Sequence, residues 1–477
     1  MRYPMPLVEA LEGYIDEDVL PFHMPGHKMG RGFTKAFRDH IVEMDVTEIP
    51  GVDDLHAPQG PILEAERLAS RAFGAMRSFF LVNGSTSGIY TMLMGACKPG
   101  DKVIVPRNCH KSVWGAMVLG DIRPVYIQPE YDYENHLVTQ ITPASVEAAL
   151  SLHPDVVGMI LTHPNYYGMC SDIGEIARIL HEQDKILMVD EAHGAHFYFS
   201  SKMPPSSAEA GADIWVQSAH KTLPAFTQSA YLHVGSKRIE ISRIIEIMRI
   251  VQSSSPSYML MASLDYARAY MENEGAKGID DLLDRLLLVK GRLKALGLKF
   301  LDQNIWDGVK YLDPSRLVID TASMGMTGYE AEGRLRRLGI QVEMSDLYRL
   351  ILICSVSDDE YMLNSLGDAL TVMYNERDKK GHTIGEFPIS FNIPEQILSP
   401  REAFYSIIEK VPLSQSEGRV CAGMIGAYPP GIPKFCPGER IDGQGIAEIF
   451  SIKSQGGNLF GLDNGDDTIP VVKDLKL

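Results

Sequence analysis

The strongest constraint in this chain is an alternation that runs from about residue 60 to residue 270. Short apolar runs (SFFLVN, DKVIVP, Ile122 to Gln128, VVGMILTHP, KILMVDE, ADIWVQS and SAYLHV) are separated by helical stretches such as GIYTMLMGA, PASVEAALSL and DIGEIARILHEQ. Strand–helix–strand order of this kind predicts an α/β fold built on a doubly wound, mostly parallel sheet. At 477 residues the chain is longer than one core sustains, which is roughly 250–300 residues. The expected division is an N-terminal segment over 1–30, a large domain over 31–270, a small α+β domain over 271–385 and a C-terminal α+β domain over 386–477. PFHMPGHKMGRG, in the first segment, is too rich in Pro and Gly for a helix interior. GIDDLLDRLLLVKGRLKAL opens the small domain as an amphipathic helix, with short strands expected in VKYLDPSRLVID and QVEMSD. FPISFN and YPPGIPKFCPGE mark the last domain.

Charge and cysteine content narrow the function. The chain carries 45 basic and 62 acidic side chains, a formal charge of -17, which argues against nucleic acid as a partner. No apolar run approaches the roughly 18–20 residues that cross a bilayer. The opening MRYPMPLVEALEGYIDEDVL turns acidic where a signal peptide would be apolar, so a cytoplasmic protein is expected. Six cysteines, none in a CxxC pair, suggest neither a disulfide framework nor a thiolate zinc site.

Two residues at successive strand ends carry the chemistry. Asp190 closes the apolar run KILMVD, and ligands of open α/β sheets gather beyond such edges. About thirty residues on, VQSAHKTLPAFTQSA presents Lys221 after Ser218 and His220. A lysine amine and a buried acid are what pyridoxal phosphate needs, the first for a Schiff base and the second to keep the pyridine nitrogen protonated. Each has a plainer reading, Asp190 as a helix N-cap and Lys221 as a solvated charge. LVNGSTSGIY offers a phosphate cup at a helix start, with Ser85 and Thr86 as donors, although a merely capped loop would look similar. His110 in PRNCHKS lies at another strand-to-helix turn, where an imidazole can stack on a ring or serve only structure. His193 and His196 lack HExxH spacing and a third ligand, so no metal is expected.

Taken in order, PFHMPGHKMG, DDLHAPQG, GSTSG, PRNCHKS, VDEAHGAH, VQSAHKTLPAFTQSA, SSSPSY, SDLY and YPPGIP…PGE resemble the Orn/Lys/Arg decarboxylases of the aspartate-aminotransferase-type fold. The likeness is greatest to compact bacterial members, often arginine decarboxylases. There is no room ahead of PFHMPGHK for the receiver-like domain of the large inducible enzymes, so their decameric assembly is not expected. The resemblance implies Lys221 as the Schiff-base lysine, Asp190 as partner of the pyridine nitrogen and His110 stacked over the ring. Ser85, Thr86, Ser218 and His220 would hold the phosphate, with Ala192 and His193 also at the cofactor. Ser255 of SSSPSY would come from a neighbouring subunit, making a homodimer or larger homo-oligomer with shared sites. Glu343 would meet the distal cation of a basic amino acid, with Asp346 in reserve. Arginine decarboxylation to agmatine is the leading expectation. Lysine or ornithine as substrate, another reaction such as transamination, and a non-catalytic regulatory relative are the alternatives.

Overall fold

The computed structural model describes residues 4–302, 309–377, 392–428, 432–454, 458–463 and 465–473. Its central sheet has seven strands: β1 (Arg77–Leu81), β2 (Lys102–Pro106), β3 (Arg123–Ile127), β4 (Gly158–Thr162), β5 (Ile186–Asp190), β6 (Ile214–Gln217) and β7 (Ala230–Val234), in the spatial order β1-β7-β6-β5-β4-β2-β3. Every neighbouring pair is parallel except the two that involve β7, which runs against both β6 and β1. The carboxyl ends of the six like-directed strands therefore share one edge. Val216 lies beside Asp190, and Asp190 beside Thr162.

The helices α1 (Gly84–Ala96) and α2 (Lys111–Gly120) follow β1 and β2 and cover one face. Leu81, Ile89, Val105, Val113, Met188 and Val216 pack between them and the sheet. Burying a side chain of this size stabilises by roughly 1.5–3 kcal/mol, so the edge rests on a rigid platform.

The small unit pairs β8 (Lys299–Phe300), β9 (Arg316–Asp320), β10 (Met344–Ser345) and β11 (Arg349–Ile353) in the order β8-β9-β11-β10, all antiparallel. Helices α3 (Ala276–Leu296) and α4 (Glu360–Asn375) pack on it through Leu286, Leu293, Leu366 and Leu370. The first thirty residues do not stand apart, because Leu20–Phe22 pairs in parallel with Ile340–Val342 of this unit.

The C-terminal region forms a two-stranded sheet, Ile408–Pro412 with Thr468–Val472, and a three-stranded one around Ile425–Tyr428. It is anchored to the large domain by a buried ion pair between Arg107 and Glu439, the glutamate of the PGE stretch. The Arg107 guanidinium also donates to the Pro433 and Lys434 carbonyls, each at 2.9 Å. Residues 387–391 of FPISFN and residues 429–431 of YPPGIP lie outside the described residues. Among the described residues, no helix is long and apolar enough to cross a membrane.

Candidate active site

The edge shared by β1, β2, β5 and β6 gathers most of the residues singled out above. Asp190 is the last residue of β5 and is 5% exposed. It caps no helix: a turn follows, and its Oδ1 accepts from the Ala192 amide at 3.1 Å. Among the described residues its Oδ2 has no hydrogen-bond partner. Lys221 lies in the four-residue helix Ala219–Thr222 directly after β6, and it is not a solvated charge. Its Nζ is 3.0 Å from His193 Nε2. Burial lowers the affinity of this amine for a proton, with Arg316 adding to the effect and Asp190 and Glu343 opposing it.

His193 is buried, and its pKa is pushed well below the usual histidine range, first by burial and then by the nearby cations Lys221 and Arg316. Its Nδ1 lies 3.3 Å from Arg316 Nη2, and its ring meets Tyr166 edge-on with centroids 5.1 Å apart. Arg316 opens β9, 95 residues beyond Lys221, and no motif pointed to it. Only the docking of the small unit brings it here.

The expected phosphate cup lies where β1 runs into α1. Gly84 has φ +76°, a left-handed conformation that glycine adopts at no steric cost. The residue before the helix, Asn83, makes no side-chain cap, so the first amides of α1 are left for a ligand. Ser218 Oγ donates to Ser85 Oγ at 2.8 Å, which brings the two expected phosphate contacts together from separate strands. Thr86 is exposed in the first turn of α1. His220 turns Nδ1 to the Ser229 carbonyl at 3.1 Å, and burial lowers its pKa to about 4. His110 is the N-cap of α2: its Nδ1 accepts from the Ser112 amide at 3.2 Å, and its ring lies within electrostatic reach of Asp190 and Lys221.

The two acids expected at the substrate differ in burial. Glu343 is half-buried, accepting from the Met24 amide at 2.9 Å and from the Tyr166 hydroxyl at 2.6 Å, close enough to Lys221 and His220 to act on both. Asp346 is 2% exposed and has both oxygens engaged, Oδ2 by the Tyr167 hydroxyl at 2.8 Å and Oδ1 by the Tyr348 amide at 2.7 Å. Both acids are bonded at each oxygen, so burial alone separates them: Asp346 is enclosed, whereas half-buried Glu343 keeps a face open to a ligand. His196 is likewise engaged, its Nε2 lying 3.1 Å from Ser315 Oγ and 3.4 Å from Asp313 Oδ1. Ser255 sits on an exposed loop, and the neighbouring Ser253 amide donates to Asn83 Oδ1 at 3.2 Å, beside the cup of the same chain.

Comparison with known proteins gives the family. The family model for the major domain of Orn/Lys/Arg decarboxylases matches residues 5–305, and that for their C-terminal domain matches residues 389–460. The chain belongs to the Orn/Lys/Arg decarboxylase family. It is 36% identical to an arginine decarboxylase of Bacillus subtilis, covering 100% of this chain and 98% of that one. An arginine decarboxylase of Halalkalibacterium halodurans is 38% identical over 99% of this chain and 97% of its own. Among solved structures, the constitutive lysine decarboxylase of Escherichia coli superposes with a TM-score of 0.79 at 22% identity, over 98% of this chain and 82% of that one. The fold is thus the α/β fold expected from the alternation, and the one shared by the decarboxylases that the motifs resemble, with the smaller unit and the C-terminal region attached.

Proposed function

We propose that this protein decarboxylates a basic L-amino acid with pyridoxal phosphate, and that the substrate is L-arginine, giving agmatine and carbon dioxide. The observation that carries this reading is the meeting of Lys221, His193 and Asp190 beyond adjacent strand ends, next to a serine-lined helix start. The residues fit the cofactor by their chemistry. A largely buried amine suits covalent attachment of an aldehyde, a carboxylate with one free oxygen suits a pyridinium N–H, and the opening amides of α1 suit a phosphate. When bound, pyridoxal phosphate supplies a ring that accepts the electron pair released as the carbon–carboxylate bond breaks.

The chain's own residues do the rest. Asp190 would offer its carboxylate to the pyridine nitrogen of the cofactor. His110, the N-cap of α2, would lie beside the cofactor and limit water there. Lys221 and His193, 3.0 Å apart, can hold the proton that the substrate α-carbon needs once carbon dioxide has left. Glu343 offers its remaining lone pairs to the distal cation, and a carboxylate receives a planar guanidinium through two parallel bonds. Full-length relatives named arginine decarboxylases favour arginine over lysine. The working unit is a homodimer, with the exposed Ser255 loop reaching the partner's phosphate.

Purified protein supplied with pyridoxal phosphate should release carbon dioxide from arginine, with agmatine identified by mass, and Lys221→Ala should abolish release. Cadaverine or putrescine from lysine or ornithine would keep the reaction and replace the substrate. Cofactor attached at Lys221 with no carbon dioxide from any of the three would sink the decarboxylase reading.

A further inference from the structure

Arg316 is 3% exposed and belongs to the small unit, yet its side chain ends against the lysine site. Nη2 lies 3.3 Å from His193 Nδ1, while the buried Nη1 has no hydrogen-bond partner. On the other side of the imidazole, His193 Nε2 is 3.0 Å from Lys221 Nζ. The three groups form a line from the small unit to the lysine.

The donor inventory of these groups decides where the protons sit. A guanidinium has N–H donors and no acceptor, so His193 Nδ1 must offer Arg316 a lone pair. A neutral imidazole with its lone pair on Nδ1 carries its proton on Nε2. That N–H points at Lys221 Nζ, which can accept it only as a free amine, because an ammonium has no lone pair. The other tautomer would set an N–H against the guanidinium. The protonated imidazole would set a third cation between Arg316 and Lys221.

Building on the reading of Lys221 as the cofactor lysine, we propose that Arg316 is a positioning residue that fixes the tautomer of His193, so that Nε2–H is presented to Lys221 and the lysine is held as a free amine. The charges facing the pair agree. Lys221 sees Arg316, which disfavours its charged form, and Asp190 and Glu343, which favour it, with burial the largest influence. His193 sees Lys221, Arg316, His220 and His110, and all of them add to burial in keeping it neutral. Asp313, which precedes β9, faces Arg316 and is itself held down to about 2 although burial alone would raise it, with His196, Arg316 and Ser315 as the opposing partners.

The test needs neither cofactor nor turnover, so its outcome is separate from whether the protein decarboxylates anything. Protein freed of cofactor is labelled with acetic anhydride across pH, and modification of Lys221 is read by mass spectrometry of its peptide. The wild-type midpoint should lie below the ordinary lysine value of about 10.4, and Arg316→Lys should reproduce it. Arg316→Met should move the midpoint up by about one unit, making labelling below it about tenfold slower. Arg316→Gln keeps a donor for Nδ1 without the charge, so it should fall between the two. In parallel, 15N spectra of histidine-labelled wild type, assigned through His193→Gln, should show Nδ1 as the unprotonated nitrogen. An unchanged midpoint in Arg316→Met, or a protonated Nδ1 in the wild type, overturns the proposal. Should Arg316→Met fail to fold, the wild-type 15N spectrum decides alone.

Discussion

A carboxylate that recognises a cation must be held firmly without being used up. Its two oxygens offer about four acceptor positions. Glu343 spends two of them, one at each oxygen, on the Met24 amide and the Tyr166 hydroxyl. Asp346, three residues on, is enclosed with both oxygens bonded, and the sequence alone could not separate the two. Each is an acid beside a short strand, bonded at both oxygens and met by one tyrosine of the Tyr166–Tyr167 pair, and what divides them is burial, which docking decides. A hydrogen bond to a charged group contributes about 1.5–3 kcal/mol. Glu343→Gln should therefore raise KM for arginine about ten- to hundredfold, with kcat within about threefold. Steady-state kinetics would check this, and an unchanged KM with a collapsed kcat would place Glu343 at the reacting end of the substrate instead.

Among elements, the sequence suggests the PGHK segment as a lining of the site entrance or of a dimer interface, and the structure shows a further contact for it. It straps the small unit to the lysine turn. Lys28, fully buried, donates from Nζ to the Ile353 carbonyl at 2.6 Å at the end of β11 and lies 3.7 Å from Asp358. Two residues earlier, the Gly26 amide donates to the His220 carbonyl at 2.6 Å, and the Gly26 carbonyl accepts from Ser355 Oγ at 2.8 Å. A Cβ on Gly26 would come within 2.7 Å of the Leu223 carbonyl oxygen and of the Thr222 carbonyl carbon, backbone atoms that cannot rotate away. Gly26→Ala should then lower unfolding free energy by about 1–3 kcal/mol and, by displacing the turn that carries Lys221, speed cofactor loss on dialysis. Denaturant titration and absorbance of retained cofactor measure the two effects, and a variant matching wild type in both would mean the strap yields without moving the lysine. The contrast with the sheet shows what a sequence can tell. Strands and helices of the large domain were legible because apolar runs and helical periods are local, and Asp190 and Lys221 were legible because each sits at the end of such a run. Arg316, Tyr166 and the grip of Lys28 on β11 arise from docking between distant elements, which leaves no periodic trace. The antiparallel direction of β7 was hidden for a related reason, since SAYLHV is as apolar as its parallel neighbours.

At the scale of the whole molecule, the proposed homodimer gives Ser255 of one chain to the site of the other. The loop leans on its own cup through the Ser253 amide and Asn83, which suits service within the chain, yet Ser255 itself is exposed, which suits service to a partner. Subunit mixing separates these geometries by arithmetic alone. Lys221→Ala removes the attachment point of one site, and Ser255→Asp sets a negative charge where a phosphate would lie. Each variant alone should be inactive as a homodimer. In a hybrid with sites shared across the dimer, the chain that keeps Lys221 meets the intact Ser255 of the other, so one of the two sites is whole. Random reassociation of equal amounts makes about half of the dimers hybrid, and recovered activity should approach about a quarter of wild type. If Ser255 serves its own chain, every site in every hybrid carries one lesion, and mixing restores nothing. Carbon dioxide release after denaturation and joint refolding, compared with the same proteins refolded separately, reads the difference directly. Recovery near a quarter requires two chains to build one site, whereas none would return Ser255 to the cup it already touches through Ser253.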